Sequence, residues 1–250
     1  MIKKLVWLIS CFCILPLNSI VIVTIPKSGT HLVEKALIGI TGYKRVKKED
    51  DPLLFKVPQE SLARYLAETC SYEFYSSHLN YLPEYEELLV KHNQNIVMMI
   101  RDPRDQVVSN TYWMKSLPDV YTQWKGQTFE EILIYNIKSV QTFSNFWLPW
   151  LYSAQTYVLM FEDMVGPHGG GSLHRQRKSV QDLADYLGYK LSVQKLCTVA
   201  ESLFGSSETF RSGQISSWKK HFTAAHTELF KLHGGQLLID LGYESDLNWN

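Results

Sequence analysis

The chain has 250 residues, with 25 Lys and Arg against 25 Asp and Glu, so its formal net charge is zero at neutral pH. This balance excludes a protein that coats nucleic acid or an anionic membrane through its overall charge, and we expect no nucleic-acid partner. The length suits one α/β domain with its own core. The four cysteines form no C-x-x-C pair and no zinc-type spacing with histidine, so no bound metal is expected.

Residues 1–19 combine two lysines, an apolar run and a few small or polar residues, which is the outline of a signal peptide. No charged residue occurs between Lys4 and Lys27, so a membrane span also fits this composition. Residues 20–25 are β-branched and lead directly into a glycine-containing turn, as a buried parallel strand does. The first segment is therefore a cleaved signal, a short anchor, or an extra element on a cytosolic domain that spans 20–250.

We expect a cytoplasmic protein, with secretion or membrane association through residues 1–19 as the alternative. Membrane contact is expected only where that segment is retained. No motif indicates an oligomeric state.

Strands alternate with helices along the chain. The first strand, 20–25, leads through a Pro-Lys-Ser-Gly-Thr turn into a helix that begins at about His31. Another strand, 95–100, leads into a helix with Asp102 as its N-cap and Pro103 in its first position. Further strands are predicted at 74–77 and 156–161, helices at 129–152, 178–187, 193–203 and 226–233, and a flexible surface turn at 166–172. This alternation predicts a single α/β domain with a parallel sheet flanked by helices on both faces.

The turn at residues 26–30 places backbone N–H groups and Lys27 at the N-terminus of a helix. Oriented donors of this kind, together with the helix dipole, bind phosphate or sulfate oxygens. A Walker A loop reads G-x-x-x-x-G-K-[ST], whereas here the order is Lys-Ser-Gly-Thr and the upstream glycine is missing. The turn therefore predicts an anionic nucleotide bound without obligatory Mg²⁺.

Two further segments supply side chains that could bind the same anionic nucleotide. Arg101 ends a strand and Ser109 lies about two turns into the next helix, so both should face the same crevice as Lys27. A guanidinium and a hydroxyl suit a second phosphate group. Downstream, Arg211 and Trp218 belong to a loop that offers charge, backbone donors and a flat face for a base.

Together these segments resemble the sulfotransferases that use 3′-phosphoadenosine 5′-phosphosulfate (PAPS). The family's TYPKSGTTW is similar to residues 24–32, and its R-[DN]-P-x-D-x-x-x-S to residues 101–109. Its R-K-G-x-x-G-x-W-K-x-x-F-T is matched in part by residues 211–223. Weaker matches to its T-H-L-P and Y-E-D-[LM] segments lie at 77–79 and 161–164. The resemblance covers most of the chain and implies a fold like that of the P-loop nucleoside triphosphate hydrolases.

The resemblance also implies an activity and roles for the matched positions. The activity is transfer of a sulfonate group from PAPS, as co-substrate, to a hydroxyl or amine by in-line displacement. His78 is implied as the general base, for which an unperturbed pKa of roughly 6.5 is suitable. The 5′-phosphosulfate is implied to be held by Lys27, Ser28, Gly29 and Thr30, with Lys27 stabilising charge on the departing oxygen. The 3′-phosphate is implied to be held by Arg101, Ser109, Arg211 and Gly213, while Phe161 and Ser212 complete the matched donor-binding positions.

Five positions depart from the family pattern. Leu32 replaces an aromatic residue that helps to sandwich adenine, and Phe161 replaces the tyrosine of Y-E-D. Ser212 replaces a lysine and Ser216 a glycine of the third motif. Ser76 stands where a lysine often precedes the base by two residues. We therefore expect weaker adenine stacking and less auxiliary catalytic charge.

Two rival functions stay open at this stage. A P-loop-type small-molecule kinase would use similar positioning and would need acidic metal ligands, for which Glu162 and Asp163 are candidates. A non-catalytic nucleotide-binding module of the same fold would have no use for His78 as a base. The acceptor that fits this activity is a small-molecule or glycan hydroxyl. Aromatic residues near the expected crevice form either the acceptor pocket or part of the core. They are Tyr72, Phe74, Tyr75, Tyr81, Tyr112 and Trp113.

Overall fold

The computed structural model describes residues 19–46, 58–68, 72–117, 119, 122–205 and 211–250. Its strands are β1 (Ile20–Thr24), β2 (Lys44–Arg45), β3 (Glu73–Ser77), β4 (Asn95–Ile100) and β5 (Thr156–Met160). They form one sheet in the order β2-β3-β1-β4-β5, and every neighbouring pair is parallel. The predicted strands are all present, and β2 is a strand that the sequence pattern did not indicate.

The central strand is β1, which pairs with β3 on one side and β4 on the other. All five of its residues are buried, because β-branched side chains suit a strand that is covered on both faces. Ile20 and Ile22 point into one hydrophobic layer, whereas Val21 and Val23 point into the layer on the opposite face. The alternation of a strand thus gives the sheet two cores.

Ten helices of the described chain surround the sheet. They are α1 (Thr30–Thr41), α2 (Gln59–Ala67), α3 (Pro83–Lys91), α4 (Pro103–Ser116), α5 (Phe129–Ser144), α6 (Pro149–Tyr152), α7 (Phe161–Met164), α8 (Leu173–Tyr186), α9 (Val193–Ser202) and α10 (Ala224–Asp240). Helices α1, α7, α8 and α9 supply one core layer, and α2, α3 and α6 supply the other. A third cluster joins α4, α5 and α10. The single α/β domain with helices on both faces is confirmed.

The carboxyl ends of the strands meet at one edge of the sheet, as they must when all strands are parallel. The segment with Lys27 follows β1, His78 follows β3, Arg101 follows β4 and Phe161 follows β5. The N-terminus of α4 is built as predicted: the Asp102 side chain accepts from the Arg104 N–H, and Pro103 occupies the first turn.

Two sequence expectations about elements are wrong. The predicted helix 129–152 is divided into α5, which ends at Ser144, and α6, which begins at Pro149, because proline has no N–H to continue a helical hydrogen-bond ladder. The predicted strand 156–161 ends at Met160, and Phe161 begins the short helix α7 instead.

The glycine-rich segment 166–172 is exposed at four of its seven residues, as expected for a surface turn, but part of it is packed against another loop. Gly169 is buried, and its carbonyl accepts from the Ile215 N–H at 2.9 Å. A Cβ atom at Gly169 would lie 2.5 Å from the Gly213 carbonyl oxygen, so the two backbones approach closely. The segment therefore supports the loop that carries Gly213.

The prediction for residues 1–19 falls outside the described residues except for Ser19. None of the helices in the described part of the chain is long and apolar enough to cross a membrane.

Candidate active site

A cavity of about 530 Å³ opens at the carboxyl edge of the sheet. It is lined by every residue predicted for the site except Ser28, namely Lys27, Gly29, Thr30, His78, Arg101, Ser109, Phe161, Arg211, Ser212 and Gly213. These residues come from the ends of four strands, from helix α4, which carries Ser109, and from the downstream loop at 211–213. The fold thus brings the three predicted segments into one cavity.

The turn after β1 has a backbone that only particular residues tolerate. Lys27 has φ of 71° and Gly29 has φ of 116°. A Cβ atom at Gly29 would lie 2.7 Å from Met99 Sδ and 2.8 Å from Phe161 Cδ2, closer than real side chains approach. Glycine is therefore required here both for the left-handed backbone and for the close packing beneath the turn.

Ser28 does not reach the cavity. It is fully buried, and both its hydroxyl and its N–H donate to the Ile25 carbonyl, at 2.7 and 3.1 Å. Its side chain therefore holds the turn in shape, whereas Thr30 lines the cavity itself.

Several cationic side chains line the cavity, and three of them lie close enough to affect one another: Lys27, Arg101 and Arg211. The Lys27 ammonium lies 5.2 Å from the ring centroid of Trp113, and the Arg211 guanidinium lies 4.1 Å from that of Tyr112. Burial, together with the charges of the two arginines, lowers the pKa of Lys27 from 10.5 to about 8. Positive charge held this close together is suited to a polyanionic ligand.

Arg101 is almost fully buried and is held by several contacts. Its guanidinium donates to the Gln214 carbonyl at 3.0 Å and to the Lys27 carbonyl at 3.4 Å, and it lies 4.2 Å from the ring centroid of Phe161. Its buried Nε has no hydrogen-bond partner among the described residues. Such an arginine is rigid and still has donor capacity for an oxyanion.

His78 is oriented by its backbone and side-chain contacts. Its Nδ1 lies 2.8 Å from the Thr24 carbonyl oxygen, which can only accept, so Nδ1 carries the proton of the neutral ring. The lone pair is then on Nε2. Burial lowers the pKa of His78 below its ordinary value, so the ring is neutral at physiological pH. This is the protonation state that a general base needs.

One part of the cavity lining is apolar, and sequence reasoning did not find most of it. It consists of Leu32, Val165, Leu203 and Phe204. Phe204 lies two residues after the end of α9 and adds an aromatic ring to the hydrophobic cluster that includes Leu32. The Lys35 ammonium donates to the carbonyls of Leu203 and Gly205 and so fixes this segment to α1. Of the six aromatic residues proposed for an acceptor pocket, only Trp113 lines the cavity, and Phe74 and Tyr75 are core residues.

The loop with Arg211 and Gly213 is held in place by Asp105, a fully buried residue of α4. One oxygen of Asp105 accepts from the Ser217 hydroxyl at 2.9 Å and from the Trp218 N–H at 2.8 Å, and the other lies 3.9 Å from Arg101. A single carboxylate therefore connects the cation that follows β4 to the downstream loop.

The acidic residues considered for a kinase serve other purposes. Glu162 accepts from the Asp102 N–H and the Tyr243 hydroxyl, both at 2.9 Å, and Asp163 pairs with Arg175. Neither residue lines the cavity. Among the residues that the structure describes, no three His, Cys, Asp or Glu side chains are grouped closely enough to hold a metal ion.

The family model described as the sulfotransferase domain matches residues 17–242. The chain belongs to the sulfotransferase family. Mouse sulfotransferase 2A6 is 24 % identical over 85 % of this chain and 81 % of the relative, and human sulfotransferase 6B1 is 23 % identical over 91 % and 80 %. The recognition of this family from the sequence motifs is confirmed.

Solved structures show the same fold. Mouse sulfotransferase SULT7A1 complexed with PAP superposes with a TM-score of 0.63 at 18 % identity, and covers 91 % of this chain and 87 % of the neighbour. Retinol dehydratase in complex with androsterone and inactive cofactor PAP also gives a TM-score of 0.63, at 16 % identity, with coverage of 90 % and 81 %. The P-loop-like architecture of this sulfotransferase is therefore confirmed.

Family membership makes this sulfotransferase a PAPS-dependent enzyme that transfers a sulfonate group, and neither the kinase nor the non-catalytic module is favoured. The residues present fit a donor of that kind. Phosphate oxygens are matched by the three cationic side chains, by the unpartnered Arg101 Nε and by a turn that has no space for a Cβ atom. The apolar part of the lining suits an adenine ring.

Proposed function

We propose that this sulfotransferase binds PAPS along the cavity with its phosphates among the three cations and its adenine against the apolar part of the lining. The adenine then lies beside Phe204 and Leu32, and the 3′-phosphate is held by Arg101, Ser109, Arg211 and Gly213. The 5′ end is held by Lys27, Gly29 and Thr30. Bound in this way, PAPS supplies the sulfonate group for transfer. The observation that supports the proposal is that Lys27 and the two arginines share one cavity with the oriented His78.

His78 is the proposed general base. Its Nε2 accepts the proton of the acceptor hydroxyl while that oxygen attacks sulfur in line. Lys27 donates to the phosphate oxygen that leaves, and it stabilises the negative charge that develops there. The contact of Nδ1 with the Thr24 carbonyl keeps the ring in the required tautomer throughout.

The proposed acceptor is a small molecule with a hydroxyl or amine. Support comes from the size of the cavity and from the solved structures of retinol dehydratase, which were determined in complex with androsterone and with retinol. A glycan hydroxyl is the second candidate, and transfer of radiolabelled sulfonate to a panel of phenols, steroids and oligosaccharides separates the two. We further propose a domain of residues 20–250 and a cytoplasmic location. Fractionation of tagged full-length chain, with sequencing of its N-terminus, tests both.

The donor assignment is tested by calorimetric titration with adenosine 3′,5′-bisphosphate, the product left by PAPS, and with ATP plus Mg²⁺. We expect micromolar binding of the bisphosphate without metal and weak binding of ATP. His78→Gln should retain this binding and lose transfer by about 10²- to 10⁴-fold, the usual contribution of a general base. His174→Gln, on the exposed face of α8, is the matched control and should retain both. Metal-dependent ATP binding, or full transfer by His78→Gln, would contradict the proposal.

A further inference from the structure

A polar cluster on the His78 side of the cavity has no part in the donor site. Its members are His31 and Glu34 of α1, Arg45 of β2 and Ser76 of β3, and all four line the cavity. Ser76 lies two residues before His78 on the same chain segment. The cluster is therefore part of the wall beside the proposed base.

Glu34 is the internal anchor of this cluster. Its Oε2 accepts from His31 Nδ1 at 2.8 Å and its Oε1 accepts from the Ser76 hydroxyl at 2.5 Å, while Arg45 Nε lies 3.1 Å from Oε1. Burial alone raises the pKa of Glu34, but the hydrogen bonds from His31 and Ser76 and the charge of Arg45 outweigh it and leave the pKa below its ordinary value. Glu34 is thus ionised and already paired, and it is not available to recognise a cationic acceptor.

Arg45 is different, because only one side of its guanidinium is used. Its Nε lies 3.1 Å from Glu34 Oε1 as an ion pair without a hydrogen bond, and within the described part of the chain no hydrogen bond is made by either terminal nitrogen. The side chain is one-third exposed and lines the cavity. A guanidinium presents its N–H groups as a planar fork that matches the two oxygens of a carboxylate. Glu34 holds this fork in the cavity wall without occupying it.

We propose that Arg45 recognises an acceptor that carries a carboxylate in addition to the hydroxyl that receives the sulfonate. This inference rests on the proposed function, since it needs His78 and the donor cations to mark where the acceptor binds. A carboxylate-bearing acceptor differs in class from androsterone and retinol, the uncharged molecules bound in the solved structures of retinol dehydratase. Glu34 is a positioning residue in this account, and Arg45 determines specificity.

The test uses two phenols that differ only in charge, 4-hydroxyphenylacetate and 4-hydroxyphenylacetamide. Binding of each to the full chain saturated with adenosine 3′,5′-bisphosphate is measured by ligand-observed NMR, and transfer from PAPS is measured as kcat and KM. Wild-type protein should bind the carboxylate at least about 10-fold more tightly, as a charge-assisted pair implies. In Arg45→Met the two ligands should bind equally. Relative to wild-type protein, the KM for the carboxylate should rise while kcat stays the same.

Lys44→Met is the matched control, because Lys44 is the exposed cationic neighbour of Arg45 on β2 and does not line the cavity. It should keep the preference for the carboxylate. Arg45→Lys, which keeps the charge and loses the fork, should keep only part of it. Equal binding of the two phenols by wild-type protein, binding of neither, or an unchanged preference in Arg45→Met would overturn the assignment. Failure of the bisphosphate to bind would instead contradict the donor site, so the two hypotheses fail by different results.

Discussion

The lowered pKa of Lys27 makes donor binding depend on pH in a way that can be calculated. In the free protein, burial and the charges of Arg101 and Arg211 lower this pKa from 10.5 to about 8. Each pKa unit corresponds to about 1.4 kcal/mol, so holding the ammonium in its protonated form costs roughly 3 kcal/mol relative to water. A bound phosphate group compensates the arginine charges, and we expect it to return the pKa of Lys27 close to its ordinary value.

The sign and size of the effect follow from linkage. Above the pKa of the free protein, Lys27 must take up a proton when the bisphosphate binds, and so affinity falls as pH rises. With a pKa of about 8 in the free protein and the ordinary value of 10.5 in the complex, the dissociation constant should increase about 20-fold between about pH 7.5 and about pH 9.5. The phosphate groups of the ligand are fully ionised across this range, because their second pKa is about 6.

Calorimetric titration with adenosine 3′,5′-bisphosphate across this pH range measures the effect. Titrations at about pH 9 in two buffers of different ionisation enthalpy should also show uptake of close to one proton. Lys27→Met should bind more weakly and show little pH dependence, because it has no group to titrate there. The same protein should melt at a higher temperature without ligand, since it no longer buries a charge beside Arg101 and Arg211. A flat profile in wild-type protein, or an equal fall in Lys27→Met, would refute the reasoning.

Three further predictions concern the framework of the site. Gly29→Ala should destabilise the fold by about 1–3 kcal/mol and weaken bisphosphate binding, because its φ of 116° and the lack of space for a Cβ atom both resist a side chain; chemical unfolding and calorimetry measure the two effects. Arg104→Met removes the ion-pair partner of the buried Asp102 and of Glu244. The free energy of unfolding, measured in urea, should therefore fall by about 3–5 kcal/mol. A loss under about 1 kcal/mol would show that these ion pairs do not stabilise the fold. Asp105→Ala releases the downstream loop and should raise the KM for PAPS about 10-fold or more, with a smaller change in kcat. A fall of that size in kcat with an unchanged KM would count against a positioning role for Asp105.

Much of the site could be predicted from sequence because its signals are local. The turn after β1, the capped start of α4 and the histidine after β3 are each encoded within a few neighbouring residues. Parallel strands must place their carboxyl ends at one edge, so the order of strands and helices was enough to bring Lys27, His78 and Arg101 together. The roles of the individual site residues stay predictions until they are tested by substitution.

Local patterns were misleading where packing or backbone chemistry decided the outcome. The apolar periodicity of 129–152 continues across Pro149, but the helix does not. The glycines of 166–172 are typical of an exposed turn, but Gly169 is buried because the backbone at Gly213 packs directly against it. Ser28 belongs to a phosphate-binding motif, but its hydroxyl is used within the turn.

The sequence by itself determined the family, the sheet and the cationic turn at its edge, because each depends on residues that are adjacent in the chain or on the geometry common to parallel strands. Only the tertiary structure decided what surrounds them. Glu34 meets Ser76 across 42 positions, and Asp105 meets Ser217 across 112. Contacts between residues so far apart produce no periodic pattern in the sequence, because the two residues become neighbours only when the chain folds. Tertiary packing also places Arg45 beside Glu34 in the cavity wall. The proposed preference for a carboxylate-bearing acceptor therefore depends on the folded structure.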